Sequence, residues 1–261
     1  MAKLLQFRIL KIKHFVIFTT ILIFSSCQRQ SNAISKIEGK QIAIDSSWAE
    51  VPEIKNFIAP YHNRVNTILD STLAYAPYKI TKDDGAYNTT AGNLMADLML
   101  TKANPIFKKR TGKEIDFVLM NHGGIRSIIS QGNVSARTAY EVMPFENNIT
   151  VVELDGKSVL EMIDYIIQSK RAHPLGGIQV VLNKDDSINK ILVQGKPFEV
   201  DQHYYIATSD YLVSGGDDMV FFKDAISITD IDYKIRNAMI DYFSKVDTLS
   251  PKVDDRFYKL N

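Results

Sequence analysis

Apolar residues recur at helical spacing in two segments of the chain. In the first they occupy positions 54, 57, 58, 61, 65, 68 and 69, and in the second they follow Thr89-Thr90 between positions 91 and 100. Because a repeat of three to four residues places side chains on one face of a helix, both segments are predicted to be amphipathic helices. Further helices are predicted at about 158–169 and 231–246.

Short apolar runs bounded by turn residues alternate with these helices. They cover residues 117–120, 149–154, 178–182, 191–193 and 204–208. Runs of this length predict strands. Interleaved strands and helices predict a mixed α/β or α+β fold, with helices packed on a sheet. The hairpin-like spacing between 178 and 208 favours a mixed sheet.

The first 26 residues have the layout of a secretory signal peptide. Basic residues precede an apolar run at 15–24 that is too short to span a bilayer as a stable helix. Small residues then precede Cys27, the only cysteine, in an arrangement that resembles the lipobox of bacterial lipoproteins. We therefore predict that Cys27 is lipidated and that the chain is exported and anchored to a bacterial membrane, facing the periplasm. An ordinary thiol beside a cleavage site, giving a free soluble product, is the alternative.

Residues 27–47 are polar and mixed, which is typical of a tether, and no second linker follows. One domain is therefore predicted over residues 48–261. Removing the signal peptide leaves 27 Lys and Arg against 30 Asp and Glu, a formal charge of −3. A mildly acidic chain without a basic cluster argues against a polymeric nucleic acid as partner.

Three loops follow apolar segments, where backbone can approach a ligand. The first, residues 121–126, reads Asn-His-Gly-Gly-Ile-Arg. Its paired glycines, Gly123 and Gly124, can adopt positive φ and remove Cβ bulk, while Asn121 and Arg126 place an amide and a forked cation at the rim. Such a loop suits a hydroxyl-rich or anionic ligand. The alternative is a strand-to-helix turn with a solvated arginine.

The second and third loops each add an aromatic ring. Pro144 fixes the backbone before Phe145, which is either a stacking face for a planar base or a core aromatic at a helix end. In the third loop, Tyr211 precedes a glycine pair and a carboxylate, Gly215, Gly216 and Asp217. A carboxylate can accept both hydrogen bonds of a vicinal diol. The alternative interpretation of this loop is a tight surface turn.

The order of these motifs resembles the C-terminal domain of the 5'-nucleotidases: Asn-x-Gly-Gly-Ile-Arg, then Pro-Phe, then aromatic-x-x-x-Gly-Gly-Asp. The helix start Gly92-Asn93-Leu94 is also similar, and the likeness covers roughly residues 80 to 225. The resemblance implies a base sandwiched by Phe145 and Tyr211 and a ribose held by Asp217 and Arg126. It also implies contact from Asn121 and backbone shaped by the two glycine pairs.

Four positions depart from the family pattern, and two of them are His122 and Asp218, which replace glycines in their loops. Tyr87 stands where the family carries an arginine shortly before the Gly-Asn-Leu helix, so one cationic ligand contact is missing. Tyr211 stands where the family usually has phenylalanine, which keeps a stacking face. The absence of this arginine is expected to alter the affinity for the ligand and the class of substrate that is bound.

Members of this family hydrolyse phosphate esters at a two-metal site in a separate N-terminal domain. No Gly-Asn-His-Asp/Glu stretch occurs here, and Asp201-Gln202-His203 precedes a strand with no later histidine, so it is interpreted as a loop. We therefore expect no catalytic residue, metal ligand or cofactor in this chain, and divalent metals only in a partner metallophosphatase.

The leading hypothesis is a nucleotide- or nucleoside-binding component of a 5'-nucleotidase-type phosphohydrolase that acts with a separate metallophosphatase chain. A stand-alone periplasmic nucleoside-binding lipoprotein and a degenerate domain with a structural role are the alternatives.

Overall fold

The computed structural model describes residues 11–21, 34 and 36–260. Cys27 and most of the predicted signal peptide lie outside these residues. Contacts divide the chain into two units, Met1–Pro52 and Glu53–Asn261. In the first unit, residues 11–21 are helical and are labelled α1. No helix in the described part of the chain has both the length and the apolar character that a membrane span requires.

The remaining elements follow from residue 52 onward. In chain order they are α2 (Pro52–Asp70), β1 (Thr72–Ala76), α3 (Thr90–Thr111), β2 (Phe117–Leu119), β3 (Gly132–Ser135), α4 (Ala136–Val142), β4 (Asn148–Asp155), α5 (Gly156–Ser169), β5 (Leu175–Gly176), β6 (Ile178–Leu182), β7 (Ile188–Val193), β8 (Lys196–Pro197), β9 (His203–Ser209), α6 (Asp210–Val213), β10 (Ser227–Lys234), α7 (Ile235–Phe243) and β11 (Phe257–Lys259).

The strands form a five-stranded central sheet and two smaller ones. The central order is β10-β4-β9-β2-β5, in which β2 and β9 are parallel and the other pairs antiparallel. Strands β11, β6, β7 and β8 form the second sheet, and β1 pairs with β3. The predicted mixed α+β fold is confirmed, although β9 lies in the central sheet, apart from the β6–β7–β8 ribbon.

The central sheet is covered by a hydrophobic core on each face. Successive side chains of a strand point to opposite faces, so Val118 and Met120 join the core beneath α3 and α7, whereas Phe117 and Leu119 join the core beneath α5. A strand buried on both faces has a continuous apolar run instead of an alternating one. This explains why the run at 117–120 was readable from the sequence.

The predicted helix at 231–246 is wrong in its first turn. Residues 227–234 form strand β10, and α7 begins only at Ile235. Strand β10 pairs with β4, and its register shifts beyond Asp230, where Asp232 adopts a left-handed φ of 52°. The partner strand supplies the hydrogen bonds of residues 227–230, and no local spacing of apolar residues reveals such a partner.

Helix α2 has an apolar stripe that no core covers. All of its residues, Pro52–Asp70, are described, and none is buried. Phe57 is 72% exposed and Tyr61 is 67% exposed. Contacts with α4 hold its last turn, where Arg137 donates hydrogen bonds to Asn66 at 2.9 Å and to Asp70 at 3.1 Å.

Candidate functional site

A cavity of about 260 Å³ opens where the three predicted loops meet. The first loop follows the end of β2, the second joins α4 to β4, and the third follows α6. The residues that line it are Asn121, Gly123, Gly124, Arg126, Phe145, Asn147, Tyr211 and Asp217. The structure thus brings together seven of the nine predicted binding residues, and Gly215 and Gly216 form the turn immediately beside them. Their role in binding stays a prediction.

A hydrogen bond joins the first loop to the third across 96 residues of sequence. The side-chain Nδ2 of Asn121 donates to Oδ2 of Asp217 at 2.7 Å. Asn121 is buried, with 7% of its surface exposed. The buried amide therefore fixes one oxygen of the carboxylate at the cavity wall.

The two glycine pairs, Gly123-Gly124 and Gly215-Gly216, are required for different structural reasons. Of these four, all described, only Gly215 has a left-handed φ, of 94°. A Cβ on Gly124 would lie 2.8 Å from Oδ1 of Asn121, and a Cβ on Gly216 would lie 2.4 Å from the ring of Tyr211. Absence of a side chain, and not unusual backbone conformation, is therefore what the loops require at these two positions.

Phe145 presents its ring to the cavity beside a cation. The ring is 41% exposed, and the guanidinium carbon of Arg126 lies 5.9 Å from its centroid. Arg126 also donates from Nη1 to the carbonyl of Gly123 at 3.2 Å. The guanidinium is exposed at the rim, so it remains able to meet a further acceptor.

A buried arginine from α7 holds the Phe145 loop in place. Arg236 is 4% exposed, and its Nη1 donates to the carbonyls of Met143, Pro144 and Phe145 at 3.5, 3.2 and 3.1 Å. Its Nη2 donates to the carboxylate of Glu146. Hydrogen bonds from Lys234 and Arg236 lower the pKa of Glu146 to about 2.

A hydrogen bond joins Tyr211, which lies in α6 and not in the predicted loop, to Asp217 in the turn that follows this helix. The Tyr211 hydroxyl donates to Oδ1 of Asp217 at 2.9 Å, and this bond raises the pKa of the tyrosine. The Tyr211 ring is 43% exposed. Asp217 has a left-handed φ of 53°, a conformation that aspartate tolerates better than most residues.

Three residues of the site escaped the sequence analysis. Asn147 lines the cavity two residues after Phe145. Tyr165 of α5 donates its hydroxyl to the backbone carbonyl of Asp217 at 2.7 Å. The Nδ1 of His173 accepts from the backbone N–H of His122 at 3.3 Å. Nothing in the local sequence distinguishes Tyr165 or His173, since both act through tertiary contacts.

His173 lies in the loop between α5 and β5, and its side chain is buried. It is 3% exposed, and burial lowers its pKa to about 4. Since Nδ1 accepts a hydrogen bond, the neutral ring carries its proton on Nε2. Within the described part of the chain, Nε2 has no hydrogen-bond partner.

Tyr87, at the position of the family arginine, points away from this cavity. Its ring packs on Phe257 at a centroid distance of 5.1 Å. It lines a separate cavity of about 290 Å³ with Lys170 and Lys259. The tyrosine therefore serves the core beneath α5, and Arg126 is the cation that lines the candidate site.

No group of three or more His, Cys, Asp or Glu residues suited to hold a metal ion occurs among residues 11–21, 34 and 36–260. Asp201 and Gln202 lie in a turn, and His203 begins β9. The side chain of His203 lies 3.2 Å from Glu153, with Nδ1 facing a carboxylate oxygen.

Known proteins are similar to this chain over part of their length. The chain is 27% identical over 188 residues to cell wall protein Lmo0130 of Listeria monocytogenes, covering 65% of this chain and 24% of that protein. It is 25% identical to a 5'-nucleotidase of Vibrio vulnificus, covering 70% of this chain and 32% of that enzyme. The chain therefore spans a third or less of these relatives.

A solved structure has the same fold. The crystal structure of a 5'-nucleotidase precursor from Thermus thermophilus matches with a TM-score of 0.66 at 21% identity, over 79% of this chain and 43% of that one. The family model described as 5'-nucleotidase, C-terminal domain, matches residues 74–224, more than half of the chain. This chain belongs to the 5'-nucleotidase C-terminal domain family.

Proposed function

We propose that this chain is the nucleoside- or nucleotide-recognition component of a 5'-nucleotidase-type phosphohydrolase and that it acts with a separate metallophosphatase chain. The observation that carries the proposal is the single cavity in which two exposed rings, a carboxylate, an amide and a guanidinium converge. Each of these groups matches one part of a nucleotide.

The rings of Phe145 and Tyr211 offer stacking faces to a planar base. Stacking of a base on an aromatic side chain contributes about 1–3 kcal/mol and tolerates any base. Asp217 and Arg126 are the acceptor and the donor for the sugar. A carboxylate accepts hydrogen bonds from hydroxyl groups, and a guanidinium presents forked donors to an anionic or hydroxyl oxygen.

The separate partner is proposed from the sequence. The relatives are two or more times longer than the matched region, and the motif expected of a metal-bearing domain does not occur in the chain. Hydrolysis of a phosphate ester by a two-metal mechanism needs ligands that hold both ions. The partner would supply them, together with the divalent metals.

Calorimetry and phosphate release on the full chain test this proposal together. Adenosine and AMP are expected to bind, and AMP with Mn²⁺, Zn²⁺ or Mg²⁺ is expected to release no phosphate until a metallophosphatase chain is added. Metal-dependent turnover by the clean chain alone would exclude the split arrangement. Binding without any gain on mixing would favour a stand-alone nucleoside-binding protein.

We also propose that the chain acts at a membrane facing the periplasm, attached through Cys27. An acylated cysteine with two or more lipid chains exceeds what stable anchoring requires. Cys27→Ala is therefore expected to move the protein from the membrane fraction to the soluble fraction. If the variant fractionates with membranes as fully as the parent, the anchor lies elsewhere.

A further inference from the structure

Both oxygens of the Asp217 carboxylate already accept hydrogen bonds from the protein. Oδ1 accepts from the Tyr211 hydroxyl at 2.9 Å, and Oδ2 accepts from Nδ2 of Asn121 at 2.7 Å. A ligand hydroxyl that approaches this carboxylate therefore meets oxygens that each accept one hydrogen bond from the protein already. Phenylalanine at position 211 would leave Oδ1 free.

The Tyr211 hydroxyl is held against Asp217 by the shape of the turn. A Cβ on Gly216 would lie 2.4 Å from Cε1 and Cζ of the Tyr211 ring, so the ring lies directly against the backbone of the turn. On the other side, Tyr165 donates to the carbonyl of Asp217 at 2.7 Å. Ring and carboxylate are thus fixed relative to each other.

A sugar diol gains most from a carboxylate when each hydroxyl donates to a free oxygen. Each carboxylate oxygen has two lone-pair sites, and the protein takes one on each. The 2'- and 3'-hydroxyls must then share an oxygen with Asn121 or Tyr211, or displace the Tyr211 hydroxyl. Displacement loses a hydrogen bond between the tyrosine and the carboxylate, which offsets the bond that the sugar gains.

We propose that the Tyr211 hydroxyl competes with the sugar for Asp217, so that the cavity accepts 2'-deoxyribonucleosides nearly as well as ribonucleosides and selects its ligand mainly through the base. This inference rests on the proposed function, since it requires that nucleosides occupy the cavity. Tyr211 is then the residue that sets sugar selectivity.

Titration calorimetry with adenosine and 2'-deoxyadenosine tests the inference on the full chain. In the parent, the two dissociation constants are expected to agree within about threefold. In Tyr211→Phe, adenosine is expected to bind about tenfold more tightly than 2'-deoxyadenosine, which is the discrimination that one hydrogen bond to a charged group provides. If the ratio of the 2'-deoxyadenosine to the adenosine dissociation constant does not rise in Tyr211→Phe, the inference is overturned while the proposed function stands. Binding of neither nucleoside to either protein overturns the proposed function and the inference with it.

Two matched tyrosine variants separate this effect from loosening of the loop. Tyr233→Phe removes a tyrosine–aspartate hydrogen bond, to Asp241, from residues that do not line the cavity, and is expected to leave both dissociation constants unchanged. Tyr165→Phe removes the bond to the Asp217 backbone and leaves the carboxylate contacts intact. Tyr165→Phe is expected to weaken the binding of both nucleosides equally. If Tyr165→Phe raised the ratio of the 2'-deoxyadenosine to the adenosine dissociation constant as much as Tyr211→Phe does, the inference that the Tyr211 hydroxyl competes with the sugar would be overturned.

Discussion

Phe145→Ala is expected to weaken adenosine binding by about 1–3 kcal/mol, roughly five- to more than a hundredfold. The substitution removes a stacking face and the partner of the Arg126 guanidinium, 5.9 Å away. The ring is 41% exposed in the free protein, so its loss leaves no buried void. Calorimetry is therefore expected to record a large loss of affinity, while the melting temperature stays close to that of the parent.

Phe57→Ala on α2 is the matched control for this prediction. That ring is 72% exposed and does not line the cavity. The control should leave affinity unchanged. If Phe145→Ala instead lowers the melting temperature strongly and binds adenosine as well as the parent, the ring is a packing residue and the stacking role is wrong.

Arg236→Met is expected to lower the free energy of unfolding by on the order of 3 kcal/mol. Three carbonyls, those of Met143, Pro144 and Phe145, lose their common donor, and methionine cannot replace it. Of the three residues only Met143 is buried, and a buried acceptor without a partner costs about 1–3 kcal/mol. The Phe145 loop also loses its anchor, so adenosine affinity should fall with stability. Urea denaturation and calorimetry on the same preparation measure both effects.

Arg110→Met is a control that removes a solvated arginine. Arg110 is exposed and donates to a single carbonyl, that of Asp230, at 3.4 Å. Its substitution should change stability by less than about 0.5 kcal/mol, as is usual at the surface. Arg236→Lys keeps the charge but not the forked donors. Its free energy of unfolding should lie between those of the parent and Arg236→Met. An unfolding free energy of Arg236→Met equal to that of the parent would contradict the anchoring role.

The loops of the site were readable because each has a local signature. A glycine pair after an apolar strand, as at Gly123-Gly124, predicts a tight turn whatever surrounds it. The fold class followed from the alternation of apolar runs with helical segments, and the mixed sheet from the hairpin-like spacing of the strands between 178 and 208. Local pattern therefore sufficed for the fold class and for the three loops.

The residues that hold those loops in place through hydrogen bonds could not be predicted from local sequence. Arg236 lies 91 residues from Phe145 and Tyr165 lies 52 residues from Asp217, and only the folded chain brings each pair together. The bond from Tyr211 to Asp217 depends on the left-handed turn at Asp217, which no spacing of residue types predicts. The spacing predicts a helix for residues 231–234, at the end of β10, for the same reason, since the hydrogen bonds of this strand go to a distant partner.

The exposure of α2 has a consequence for how the Glu53–Asn261 unit opens. No side chain of α2 is buried, whereas α3 buries Leu98 and Met99 completely. Most of the stability of a helix in a protein comes from packing of its apolar face, and α2 has this support only where its last turn contacts α4. Amide hydrogens in α2 should therefore exchange with solvent through fraying of that one helix, while those in the middle of α3 exchange only when the whole core separates. The unit thus contains two cooperative segments of very unequal stability, and the cavity lined by the three loops lies in the more stable one.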